Sequence, residues 1–205
     1  MRTIEVFADV ACPYAHVGLH RFRSFRAHQG HPGPRLRVRA WPLELINGAP
    51  FDGAEMTTKV EALRASVAPD LFTEFDANRF PTTSISAMVS EAAAYRTSPE
   101  CGERFSLAVR RALFEGGLDV SKGSVLRDLR DQHGVLEPIA ADEVAVGADL
   151  TEGRRRGVTG SPHFFSEKGD FFCPSLEIVR VPDGLHVEFD VEGFQRFVTA
   201  AFGAA

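Results

Sequence analysis

Apolar residues at Ile4, Val6, Ala8 and Val10 alternate with Glu5, Phe7 and Asp9, a two-residue period that predicts a β-strand. The period then changes. Pro13 suits the first position of a helix, because its fixed φ is already helical and its missing N–H would have no partner there. From Pro13 to about Gln29, Ala15, Leu19, Phe22 and Phe25 or Arg26 mark one face, and Gly30 stops the helix. Arg35 to Trp41 alternates basic and apolar residues, which predicts a second strand. Strand, helix and strand in this order imply two parallel strands joined by a right-handed crossover.

The pattern from Phe51 to about Gly153 is helical. Periodic stretches cover Glu55–Ala68, Ile85–Tyr95, Gly102–Glu115 and Ser124–His133, with Pro69, Pro81, Pro99, Gly116-Gly117 and Gly134 between them as breakers. A last helix around Ala141–Arg156 leads back toward the sheet. His163-Phe164-Phe165 and Phe171-Phe172, on either side of Lys168-Gly169-Asp170, predict a hairpin. Leu185–Phe189 is expected as one more strand, entered through a turn at Pro182-Asp183-Gly184. Val191–Phe202 closes the chain as an amphipathic helix with Val191, Phe194, Val198 and Phe202 on one face.

Composition narrows the function classes. A chain of 205 residues, 44% of them hydrophobic, can bury a core of its own. A net charge of -5 argues against a nucleic-acid partner or an anionic membrane surface. The one dense basic run, Arg154-Arg155-Arg156, reads as a solvated helix end favoured by the helix dipole. No stretch approaches the ~18 apolar residues of a membrane span, and the first strand begins too early for a signal peptide, so a cytoplasmic location is expected. Cys12, Cys101 and Cys173 are too few and too scattered for a disulfide framework or a zinc site, and no metal is expected.

Cys12 is the feature with chemistry in it. It lies at a strand-to-helix junction, where unpaired amides and the helix dipole favour an anion, so its thiol is expected to ionise below the free value of about 8.5. A dithiol motif would carry a second cysteine where this chain has Ala15. His16 and Asp9 are the titratable neighbours. His16 reads more readily as structural than as an acid or base, because the dipole disfavours its protonated form. Cys101, at a helix start, has nothing to place it near Cys12.

Three motifs in order carry a family resemblance: Asp9-Val10-Ala11-Cys12-Pro13-Tyr14, Ala112-Leu113-Phe114-Glu115-Gly116-Gly117-Leu118-Asp119-Val120, and Gly157-Val158-Thr159-Gly160-Ser161-Pro162. With them the chain resembles the DsbA family in the broad sense, its FrnE-like oxidoreductases, and the neighbouring 2-hydroxychromene-2-carboxylate isomerases and kappa-class glutathione transferases. The resemblance implies an α/β, thioredoxin-like fold with an inserted all-helical domain: residues 1–50 and 157–205 as the thioredoxin-like domain and 51–156 as the insertion. It implies Cys12 as the catalytic thiol, a cis peptide bond between Ser161 and Pro162 beside the sulfur, and substrate contacts from Pro13, Tyr14, Ser161 and Pro162. His163, directly after it, reads as a core or strand histidine.

The activity implied is thiol-disulfide exchange through a single active-site cysteine, by a mixed disulfide that an external thiol or Cys173 releases. Antiparallel pairing returns the end of the second hairpin strand to the level of Pro162, so Cys173 reads either as a resolving thiol or as a buried small hydrophobe. The alternatives are a thiol-cofactor-dependent isomerase or transferase, and a non-catalytic binding protein on the same fold. Ala15 departs from the two-cysteine pattern. Glutathione-using relatives keep a serine at the position of Cys12 and an acidic pair after the hairpin, which Phe172-Cys173-Pro174-Ser175-Leu176-Glu177 fits only loosely. No tightly bound cofactor is expected, a low-molecular-weight thiol such as glutathione being the candidate. The expected partner is a disulfide-containing protein or a small-molecule thiol, and a homodimer stays open.

Overall fold

The strand predicted at the N-terminus is β1 (Thr3–Ala8), followed by α1 (Pro13–Ala27) and β2 (Arg35–Ala40), in a computed structural model that describes residues 2–30, 33–182 and 184–203. β1 and β2 pair in parallel from Thr3↔Arg35 to Ala8↔Ala40. The helical segment comprises α2 (Leu43–Asn47), α3 (Gly53–Ser66), a single 3-10 turn at Ala77–Arg79, α4 (Ile85–Thr97), α5 (Pro99–Phe114), α6 (Gly123–His133) and α7 (Ala140–Arg155). The chain then returns through β3 (His163–Ser166), β4 (Gly169–Phe172), β5 (Leu176–Val181) and β6 (Gly184–Phe189) to α8 (Val191–Phe202). The main sheet has the order β2-β1-β3-β4, with β3 antiparallel to β1, while β5 and β6 form a separate two-stranded sheet. The turn expected at Pro182-Asp183-Gly184 has its middle residue outside the described residues.

Where the elements depart from the sequence pattern, local hydrogen bonds account for it. β1 stops at Ala8 because the Asp9 carboxylate accepts the Ala11 amide at 2.7 Å, an Asx turn that bends the backbone out of the ladder. α5 starts at Pro99, not Gly102, because Ser98 caps it: its hydroxyl accepts the Cys101 amide at 3.1 Å, and proline fills the first helical position. α2 is five residues long and ends at Gly48 with φ 68°, too short for any periodicity to show. β5 was not anticipated, since its inward residues acquire meaning only through pairing with β6. The basic run is largely engaged: Arg155 and Arg156 both reach Glu152, and Arg156 reaches Glu5 across to β1.

Two features tie the helices to the sheet. One is apolar: Val10, Ala11 and Val17, from the junction of β1 and α1, share a buried cluster with Val60, Leu63, Phe72, Met88, Phe105 and Phe114 of the helical segment. Fully burying side chains of this kind stabilises by about 1.5–3 kcal/mol each. The other is polar. β2 is an edge strand, and its outward amides at Leu36, Val38 and Ala40 are taken by Glu103 (3.3 Å), the Tyr95 hydroxyl (2.8 Å) and Asp149 (3.1 Å). Side chains of α5, α4 and α7 thus occupy an edge that would otherwise pair with a foreign strand.

Tyr95 returns its own proton to Leu36 O at 3.2 Å, so its ring is fixed at both ends of the hydroxyl's bonding. A Cβ at Gly102 would fall 2.1 Å from that ring. Gly102→Ala, which elsewhere in a helix gains about 1 kcal/mol, is therefore expected to destabilise by a net ~1–3 kcal/mol through overpacking, read as a lower denaturation midpoint in urea.

Candidate active site

Cys12 caps the N-terminus of α1 with an extended backbone (φ -87°, ψ 114°), and Pro13 occupies the first helical position. The first turn carries no acidic side chain. Opposite it, the chain enters β3 through a cis peptide bond between Ser161 and Pro162. The Cys12 thiol donates to Ser161 O at 3.1 Å, a bond it makes only while protonated. Pro162 O accepts the Cys173 amide at 2.9 Å, and the Ser161 hydroxyl accepts the Asp9 amide at 2.9 Å. Cys12, Ser161, Pro162 and Cys173 therefore meet at one end of the sheet.

Asp9 organises this end from beneath. It is wholly buried, and its two carboxylate oxygens each accept a backbone amide at 2.7 Å, from Ala11 and from Leu43. Burial pushes its carboxyl up to about 6 in spite of those bonds. Tyr14 is half-buried, packs against the clusters on both sides of the site, and has its hydroxyl pushed up to about 12 by burial, with the charges of Cys12 and Cys173 adding to the effect.

The expectation of a low thiol pKa at Cys12 is overturned. Cys12 is only 3% exposed, and burial drives its thiol above the ordinary value, with the negative charge of Asp9 acting in the same direction. The Ser161 side chain first, and then the amides of Ala15 and Tyr14, pull it down but do not offset the burial. The magnitudes decide the sign: a helix terminus contributes about 0.3–1 kcal/mol to an exposed charge, whereas burial can shift a titratable group by up to 3–5 units.

The other sequence candidates lie elsewhere. His16 points into the helical segment, where its Nε2 lies 3.2 Å from Leu71 O and 3.2 Å from Glu115, and its ring stacks on Phe114. His163 accepts the Thr159 amide on Nδ1 and sets Nε2 3.0 Å from Asp170, so it buttresses the hairpin. Cys101 is buried with its sulfur 3.7 Å from His133 O. A cavity of about 830 Å³ bordered by Arg26, Arg35, Glu103 and Arg104 lies at the far end of α1 and includes none of Cys12, Ser161, Pro162 and Cys173. Among the described residues no cluster of metal-ligating side chains occurs, and no helix is long and apolar enough to cross a membrane.

Residues 3–180 match the model of the DSBA-like thioredoxin domain. The chain belongs to this family. Solved structures agree on the fold. A 2-hydroxychromene-2-carboxylate isomerase, 14% identical, aligns with a TM-score of 0.60 over 83% of this chain and 88% of its own. The cytosolic disulfide reductase DsbM from Pseudomonas aeruginosa, also 14% identical, aligns with a TM-score of 0.60 over 96% of both chains, and a structure of it with GSH aligns at 0.59 with 16% identity. No curated protein matches in sequence.

At this candidate site, two contributors carry no signal in the sequence. The Leu43 amide is a backbone group, invisible to any residue pattern. Arg21 donates to Ser175 O at 2.8 Å and to Val67 O at 3.0 Å, with its guanidinium 4.1 Å from the centre of the Phe189 ring, and so pins the segment that follows Cys173. It is one of many arginines in the chain, and only its position after folding distinguishes it.

A raised thiol pKa means that Cys12 is protonated at neutral pH in the closed protein. Iodoacetamide labelling with peptide mapping is expected to show Cys12 reacting more slowly at neutral pH than an unstructured cysteine, with its rate rising only beyond the ordinary thiol value of about 8.5. Labelling of Cys12 faster than the unstructured thiol would contradict the burial argument.

Proposed function

We propose that this DSBA-like protein catalyses thiol-disulfide exchange through Cys12, the single cysteine of its motif, in the direction that reduces disulfides. The observation that carries the reading is the Cys12 sulfur at the N-terminus of α1, hydrogen-bonded to Ser161 O beside the cis Pro162. A substrate that displaces this bond meets a sulfur already aligned with the helix amides. The Cys12 thiolate attacks one sulfur of a disulfide, a mixed disulfide forms, and the other half leaves as a thiolate. Completion needs a second thiol, because Ala15 stands where the motif would supply one.

The direction is the one suggested by the likeness to the disulfide reductase DsbM. A strong thiol-disulfide oxidant owes its power to a stabilised reduced form, and Cys12, buried with its thiol above the ordinary value, lacks a stabilised thiolate. Pro13, Tyr14, Ser161 and Pro162 frame the approach. A small thiol of the glutathione class is the reductant we favour, in keeping with the likeness to a disulfide reductase solved with GSH. Such a role suits the cytoplasm, where thiols are kept reduced.

Cys12→Ser is expected to reduce the glutathione-dependent cleavage of a small reporter disulfide to the uncatalysed rate while leaving the far-ultraviolet dichroism unchanged. Retention of activity would overturn the proposal, and saturable glutathione binding without disulfide cleavage would favour the isomerase reading instead. Ala15→Cys is expected to form an internal disulfide with Cys12, since neighbouring positions on the first helical turn fall within the ~4.4–6.8 Å Cα separation a disulfide requires. Peptide mapping under non-reducing conditions checks it.

A further inference from the structure

Cys173 is not explained by packing alone. It is the one non-glycine residue with a positive φ, 42°, among the described residues, and at 7% exposure it is nearly as buried as Cys12. A backbone conformation that disfavours side chains other than that of glycine persists only where the surroundings hold it. Here three bonds hold it: the Cys173 amide to Pro162 O (2.9 Å), the Leu176 amide to Cys173 O (3.2 Å), and Arg21 to Ser175 O (2.8 Å). The strained position thus carries a cysteine, and its neighbours fix it beside the site.

The two cysteines hang on consecutive carbonyls. Cys12 donates through its sulfur to Ser161 O, Cys173 through its amide to Pro162 O. Tyr14 packs against the clusters that contain each of them. They are also electrostatically linked: the Cys173 thiol is pushed up to about 12, first by burial and then by negative charge on Cys12, while Arg21 opposes the shift.

We propose that Cys173 is the resolving thiol for Cys12: its sulfur attacks the Cys12 sulfur of the mixed disulfide, forms a Cys12–Cys173 disulfide and releases the second half of the substrate as a thiolate. This deepens the reading of Cys12 as the exchanging nucleophile and rests on it. The balance is complete. One substrate disulfide becomes two thiols, Cys12 and Cys173 together give up two electrons and two protons, and two equivalents of a low-molecular-weight thiol restore both cysteines. The favourable charge of Arg21 helps Cys173 to ionise for this step.

The test is intact mass and non-reducing peptide mapping after exposure of wild type, Cys173→Ser, Cys173→Gly and Cys12→Ser to oxidised glutathione. Glycine at 173 accepts the positive φ without strain, which guards against a serine variant that fails to fold. Expected are a linked Cys12–Cys173 peptide pair with no lasting adduct in wild type, one glutathionyl group retained on Cys12 in both Cys173 variants, and no adduct in Cys12→Ser. An equal, lasting glutathionyl adduct on Cys12 in wild type and both Cys173 variants would overturn the resolving role while leaving Cys12 as nucleophile. An unmodified Cys12 in all four proteins would overturn both readings.

Discussion

Everything at the sulfur depends on where one carboxylate is buried. Asp9 ends β1 by accepting the Ala11 amide, ties the end of β2 to the same point by accepting the Leu43 amide, and presents its own amide to Ser161. Three segments distant in sequence are thereby brought to one spot: the turn that carries Cys12, the start of the helical segment, and the chain before the cis proline. The group costs something to place there, since burial raises its carboxyl to about 6 even with two backbone donors. Buried backbone amides without acceptors would cost more in aggregate, at about 1–3 kcal/mol for each group left unsatisfied.

The helical segment has a second purpose beyond covering the site. An edge strand exposes a row of unpaired backbone groups, and β2 answers this with acceptors from three helices, Glu103, Tyr95 and Asp149, spaced at alternate residues along the strand. The same helices supply Met88, Phe105 and Phe114 to the cluster that receives Val10, Ala11 and Val17. Sheet edge and site junction are therefore stabilised by the same body of helices. Disturbance of α4 or α5 is felt at β2.

The chemistry of the thiol turns on a competition between two effects at one atom. Amides at the start of α1 favour a thiolate; burial, to 3% exposure, disfavours it, and burial is the larger. Cys173, held by its backbone amide on the next carbonyl along, is also buried, and its thiol is pushed up to about 12.

Much of this was legible in the order of residues. The two-residue and 3.6-residue periods placed β1, α1, β2, the hairpin and α8 to within a few residues, because those elements bury one face and their sequences must alternate accordingly. Asp9-Val10-Ala11-Cys12-Pro13 and Ser161-Pro162 pointed to the site, because a cysteine before a helix-starting proline has a chemical meaning that composition does not dilute. Other features had no sequence signal. The Leu43 amide and Arg21 enter the site through long-range contacts, and β5 exists only by pairing with β6. The sign of the Cys12 shift was decided by tertiary structure alone: the helix terminus that favours a thiolate is local and can be read along the chain, but the exclusion of water that disfavours it comes from segments distant in sequence closing over the sulfur.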